Sequence, residues 1–132
     1  MPELPEMEVV KVVLQARIVG QTICDVEVVR PLVLRDLTSD GFVAGLQDRC
    51  ILEVLRRGKV LVLDLSGGRS LAINPMLSGR LQLCAAHDRR LPYTQLVLRL
   101  SSGLELRYAD RRSMGKLYLT DDLASLPGWT EM

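Results

Sequence analysis

The sequence predicts a mainly β (α+β) domain: a two-layer antiparallel β-sandwich of about eight strands, flanked by two α-helices, the first at the N-terminus. Three observations carry that expectation. From Cys50 onward the chain is a succession of short apolar or alternating runs broken by glycine turns. The opening residues instead space their apolar side chains as a helix does. One further segment, 39–47, has helical spacing.

In chain order, residues 3–18 read as an amphipathic helix. Its inner stripe is Leu4, Val9, Val12, Val13, Ala16 and Ile18, with Pro5 tolerated in the first turn and Gly20 as the stop. The period then changes to two, and 22–29 (Thr-Ile-Cys-Asp-Val-Glu-Val-Val) alternates as a strand. A shorter helix is expected over 39–47, N-capped by Ser39 or Asp40, with Phe42, Val43 and Leu46 inward. Strands follow at 50–57, 59–65, 70–74, 80–84, 94–100, 104–109 and 116–119. Gly67-Gly68 and Ser101-Ser102-Gly103 supply hairpin turns. The final residues, 126–132, give no pattern for a terminal element, and Trp129 is expected to be exposed.

At 132 residues the chain forms one domain, 1–132, large enough for a core. Apolar residues are 48% of it but aromatic ones only 4%, so that core must be aliphatic. Seventeen basic residues oppose sixteen acidic ones, and a net charge of +1 predicts no polyanion partner by itself. Any nucleic-acid surface must come from local clusters: Arg56-Arg57 with Lys59, Arg89-Arg90, and Arg111-Arg112 with Lys116. Cys24, Cys50 and Cys84 are widely spaced and lack a C-x-x-C pair, and His87 is the one histidine, so no zinc motif can be assembled. The cysteines read as reduced core residues. Glu3, Glu6 and Glu8 interrupt any apolar leader, and no apolar run spans a bilayer. A cytoplasmic protein without a membrane partner is expected.

The first six residues, Met-Pro-Glu-Leu-Pro-Glu, carry chemistry. Removal of Met1 leaves Pro2 as a secondary α-amine, a group that titrates at about 7.7–8.0 and is partly neutral at neutral pH. Such an amine attacks an electrophilic carbon and leaves a cationic iminium, an electron sink. Glu3 and Glu6 lie close enough in sequence to handle protons around that adduct.

This start resembles the formamidopyrimidine-DNA glycosylase / endonuclease VIII family, and three further segments fit in order. Arg56-Arg57-Gly58-Lys59 resembles the family's Arg-Arg-x-Lys element. Residues 73–81, Ile-Asn-Pro-Met-Leu-Ser-Gly-Arg-Leu, resemble its His-Leu-Gly-Met-Ser-Gly segment. Residues 108–115, Tyr-Ala-Asp-Arg-Arg-Ser-Met-Gly, resemble its Asp-Pro-Arg-Arg-Phe-Gly loop.

The resemblance implies base-excision repair: release of oxidised bases (formamidopyrimidine and 8-oxoguanine type) from double-stranded DNA, then β,δ-elimination at the abasic site. It implies Pro2 as nucleophile at the sugar C1′, Glu3 as acid to the opening sugar ring, and Glu6 as the group that fixes the amino terminus. It places Lys59 on the phosphate beside the flipped nucleotide. Leu77, Arg112 and Met114 align with the family's methionine, arginine and phenylalanine that fill the gap in the helix, and Asn74 stands for its histidine. Ser113 replaces a phosphate-binding arginine, which removes a charge-assisted contact. Met76, one position off, reads as core filler. The family's helix–two-turns–helix and zinc-finger domains have no counterpart here. The chain is therefore expected to be the N-terminal catalytic domain of a longer enzyme, with no cofactor or metal of its own. As an isolated domain it is expected to be monomeric, nucleoid-associated only through DNA, and weak on DNA.

Two other readings compete. The changes at Asn74, Ser113 and Met114 motivate a non-catalytic relative that binds damaged DNA. A tautomerase with a terminal proline base would place that proline on a strand of a βαβ unit, whereas Pro2 precedes a helical pattern.

Overall fold

A computed structural model of the chain describes residues 6–131. Two sheets face each other across an aliphatic core. The strands are β1 (Ile23–Val28), β2 (Leu34–Asp36), β3 (Ile51–Arg57), β4 (Val60–Leu65), β5 (Arg69–Asn74), β6 (Gly79–Ala85), β7 (Thr94–Leu100), β8 (Leu104–Asp110) and β9 (Lys116–Thr120). The first sheet runs β1-β7-β8-β6 and the second β2-β9-β5-β4-β3. Among the described residues nine strands thus stand where about eight were expected. The addition is β2, a three-residue strand pairing parallel to β9 in an otherwise antiparallel sandwich. It is too short to show a period.

Helix α1 (Met7–Arg17) begins after Glu6, whose backbone is extended and whose side chain makes no cap bond. The start of the expected helix, 3–5, lies outside the described residues. Val10 and Leu14 are its buried positions; of the expected stripe Val13 packs on the core and Ile18 is buried just past the helix end, while Val9, Val12 and Ala16 are exposed. The expected stripe is therefore corrected: α1 is apolar on both sides, and periodicity alone could not choose the inner one. It lies along the edge of β3, where the Gln15 side chain accepts from the Val54 N–H at 2.9 Å.

Helix α2 (Phe42–Leu46) is shorter than expected and is capped by Gly41 rather than Ser39 or Asp40. Asp40 is instead drawn to the buried Arg69, at 2.9 Å, and Arg69 also grips Asp121 at 2.7 Å. Asp36 shapes the approach by accepting from the backbone N–H of Thr38 and Gly41. Leu46 is buried, Phe42 packs against the core, and Val43 is exposed.

Strand β4 shows why both faces of the second sheet are apolar. Leu61, Leu63 and Leu65 enter the main core, whereas Val60 and Val62 join Ala72 and Leu126 in a second cluster outside it. Short 3-10 turns at Leu123–Ser125 and Trp129–Glu131 fold over that outer face. Trp129 packs there and is half-buried, correcting the expectation of an exposed side chain. Of the three cysteines only Cys84 is a core residue; Cys24 is exposed and Cys50 intermediate.

Candidate nucleic-acid interface

Register brings the matched segments to one end of the sandwich. Arg57 pairs with Val60, so Gly58 and Lys59 form a two-residue turn between β3 and β4. Leu61 pairs with Ile73, and Asn74 pairs with Lys116. The start of β4, the end of β5 and the start of β9 therefore share the edge where Lys59 projects. From that edge the chain crosses between sheets twice, from β5 to β6 through 75–78 and from β8 to β9 through 111–115.

Asp110, the last residue of β8, binds the two crossings together. Its carboxylate accepts from the Ser78 hydroxyl, from the Tyr108 hydroxyl at 2.7 Å, and from the backbone N–H of Arg112 and Gly115 at 3.2 and 2.8 Å. Burial alone would raise this carboxyl's pKa. The bonds from Ser78, Tyr108 and the N–H groups of Gly115 and Met114 outweigh burial and hold it below the usual carboxylate value. Tyr108 is driven the other way, first by burial and then by its bond to Asp110, and stays a neutral donor. Gly79 and Gly115 are required beside this pair, because a Cβ at either would fall on the Tyr108 hydroxyl. From beneath, Gln95 Nε2 donates to the Asp110 carbonyl at 2.7 Å and to the Ser113 hydroxyl at 2.9 Å.

On this pinned base stand the predicted contact residues. Leu77 is 81% exposed at the tip of the first crossing, and Met76 beside it is 49% exposed with φ +53°. Met76 is therefore not core filler: its backbone N–H is taken by the Asn74 side chain at 3.2 Å, which turns the chain outward. Arg112 is exposed on the second crossing, Met114 is half-buried, and Lys116 Nζ donates to the carbonyls of Met114 and Gly115. A groove of about 510 Å³ runs beside the tip, lined by Leu77, Arg80, Tyr93, Arg111 and Arg112 among others.

Lys59 is exposed on its turn. The turn is braced by Arg56, which donates to the Gly58 carbonyl at 2.7 Å and pairs with Glu8 of α1 at 2.8 Å. Glu8 lies two residues beyond Glu6, so the lysine turn is tied to the helix that carries the N-terminal motif. Glu6 is exposed at the start of α1; Pro2 and Glu3 lie outside the described residues. The structure thus groups Asn74, Leu77, Arg112 and Met114 around one hub and sets Lys59 on the adjoining strand end.

A sequence model described as the Formamidopyrimidine-DNA glycosylase N-terminal domain matches residues 1–117. The chain belongs to the formamidopyrimidine-DNA glycosylase family. A family member from Pelotomaculum thermopropionicum is 42% identical over 134 residues, spanning 100% of this chain and 49% of its own length. One from Nocardioides is 42% identical over 132 residues, covering 96% of this chain and 45% of that protein. The chain therefore spans about half the length of the curated relatives it matches. Among solved structures it resembles Lactococcus lactis Fpg in complex with abasic-site DNA, with TM-score 0.78 and 31% identity over 90% of this chain and 44% of that one. A variant of that glycosylase bound to Fapy-dG-containing DNA superposes equally well, at TM-score 0.78 and 32% identity over 90% of this chain and 43% of that chain. Among the described residues of this family member no helix is long and apolar enough to cross a membrane, and no cluster of His, Cys, Asp and Glu is placed to hold a metal ion.

Sequence reasoning missed Asp110 as a positioning residue, although it stands in the quoted Asp-Arg-Arg motif. Its partner Ser78 lies 32 positions earlier, and no local pattern signals that pairing. The groove residues Arg80 and Tyr93 were also missed; an aromatic side chain within a basic cluster is the available signal.

Proposed function

We propose that this chain is the catalytic half of a DNA repair glycosylase with lyase activity on oxidised bases and abasic sites. The single observation that supports it is Leu77. An 81% exposed leucine beside Ser78, whose hydroxyl donates to the carboxylate that also takes Tyr108, Arg112 and Gly115, is an apolar wedge on a pinned base. Inserted into a base stack, such a wedge holds open the gap that a flipped nucleotide leaves. Arg112 and Met114, on the partner crossing, flank it.

The chemistry follows from the opening hexapeptide once Met1 is removed. The neutral Pro2 nitrogen donates its lone pair to the sugar C1′, and the C1′–N bond to the damaged base breaks, the base leaving with the bonding pair and a proton. The attached Pro2 nitrogen gives up its proton; its lone pair then forms the C1′=N bond as the C1′–O4′ bond breaks, Glu3 protonating the departing ring oxygen, and the opened sugar is left as a cationic iminium. That cation acidifies C2′; loss of a C2′ proton expels the 3′ phosphate, a second elimination expels the 5′ phosphate, and water frees Pro2. Glu6 orients the amino terminus. Lys59 neutralises the phosphate next to the extruded sugar, where a cation both positions the strand and offsets its strain.

Borohydride reduction with abasic-site duplex tests the reading. The expected product is a secondary-to-tertiary amine cross-link at Pro2, located by peptide mass spectrometry. Absence of that adduct in protein lacking Met1 would overturn the nucleophile assignment. Ser113, whose hydroxyl is engaged by Gln95, favours a second reading, a lesion binder without catalysis. A gel shift on abasic DNA without strand cleavage would select it.

A further inference from the structure

The turn that presents Lys59 is held from both faces, and one of the residues that hold it, Trp129, lies outside the motifs above. Arg56 reaches Glu8 and the Gly58 carbonyl on the α1 side. On the opposite face the Arg57 guanidinium lies over the Trp129 ring, 4.6 Å from its centroid. Trp129 is itself seated on the outer cluster of Val60, Val62, Ala72 and Leu126. Val60 is the cross-strand partner of Arg57. Trp129 therefore contacts one leg of the lysine turn through its cation and packs on the cluster that contains the other.

We infer that Trp129 is a positioning residue for Lys59, fixing the turn so that the ammonium meets a DNA phosphate; this rests on the DNA-binding reading above. Two residues, Gly58 and Lys59, span the turn, and Gly58 is in the left-handed region at φ +59°. Among the described residues no hydrogen bond is made by the exposed Lys59 side chain, and the braced turn fixes the point from which its stem starts. A flexible four-carbon stem on a loose turn spreads its charge over many positions, whereas a phosphate contact needs one. A planar cation over an indole face contributes most when partly desolvated, and Trp129 is half-buried. Sequence spacing gives no hint of this, since 72 positions separate Arg57 from Trp129.

The test uses the 132-residue chain and a duplex carrying a tetrahydrofuran abasic analogue, with affinity measured across a salt series. Each protein–phosphate contact contributes about 0.9 to the slope of log affinity against log salt. Lys59→Ala is expected to make the slope shallower by about that amount. Trp129→Leu keeps an apolar cover but removes the ring; it is expected to reproduce the same shallower slope and weaken binding about threefold to tenfold at moderate salt. The double variant should lose one contact rather than two, and Trp129→Phe should restore most of the slope. A wild-type slope in Trp129→Leu, or additive losses in the double variant, would overturn the inference. Melting temperatures of the four variants separate cover from aim: Leu and Phe variants of equal stability but unequal slope support positioning, and equal slopes refute it. Failure of the wild-type chain to prefer abasic over undamaged duplex would instead remove the parent reading, and this one with it.

Discussion

The Ser78 hydroxyl donates to the Asp110 carboxylate across the two crossings that join the sheets. Because the same carboxylate also takes Tyr108 and the N–H groups of Arg112 and Gly115, one side chain holds the shape of both segments. Replacing it by alanine strands two buried donors, the Tyr108 hydroxyl and the Gly115 N–H, and releases two part-buried ones. An unmet buried donor costs about 1–3 kcal/mol, so Asp110→Ala is expected to lower unfolding free energy by about 3 kcal/mol or more, read by urea denaturation. A loss under about 0.5 kcal/mol, the range of ordinary surface changes, would contradict this hub.

The same group gives a pH dependence of defined sign. Its folded pKa is depressed, the hydrogen-bonded donors having overcome burial, so its contribution to stability is full above the unfolded value of about 3.9. That contribution drains away as pH falls through the lower folded pKa. Thermal melts between pH 6 and pH 2, values chosen to bracket about 3.9, should show an acid-side decline that is smaller in Asp110→Asn. Parallel curves for the two proteins would argue that other carboxylates dominate.

Leu77 separates function from stability. At 81% exposure it contributes little to the core, and Leu77→Ala should change stability by less than about 0.5 kcal/mol. Affinity for abasic duplex should nonetheless fall about tenfold, the loss of an apolar wedge worth about 1–2 kcal/mol. Gel shifts on abasic and undamaged duplex measure it; equal effects on both DNAs would make Leu77 an unspecific contact.

Gly115→Ala probes packing behind the tip. Its new Cβ meets the Tyr108 hydroxyl, the Asn74 carbonyl and the Asp110 carboxylate at once. Overpacking of this kind costs about 1–3 kcal/mol, and the displaced tip should bind abasic DNA less well. Calorimetry with a binding assay on the same preparation reads both. Full stability in the variant would show that the tip relaxes freely.

How much of this was legible depends on where each signal lives. The strands from β3 to β9 were readable because glycine turns punctuate apolar runs, as at Gly67-Gly68 and Ser101-Ser102-Gly103. β2 was not, since Leu34-Arg35-Asp36 has no period and its paired residues in β9 lie 83 positions on. The inner face of α1 was misread because valines lie on both sides. Asp40 offered a cap by composition, and Arg69 took it instead. For the candidate site, Lys59, Leu77 and Arg112 were singled out by motif, while Asp110 and Trp129 meet their partners through contacts distant in sequence. Pro2 and Glu3 lie outside the described residues, and their roles stand on chemistry alone.

The crossings pinned by Asp110 close the open end of the sandwich as well as carrying its exposed tip. Mechanical closure and exposed candidate contact surface are thus one object, and they tolerate change differently. Positions whose side chains leave the hub, 77, 112 and 114, can drift in chemistry while the core stays shut. Positions 78, 79, 108, 110 and 115 cannot, because an altered clasp would let the two sheets part. The tip is in effect interchangeable tooling on a fixed mount.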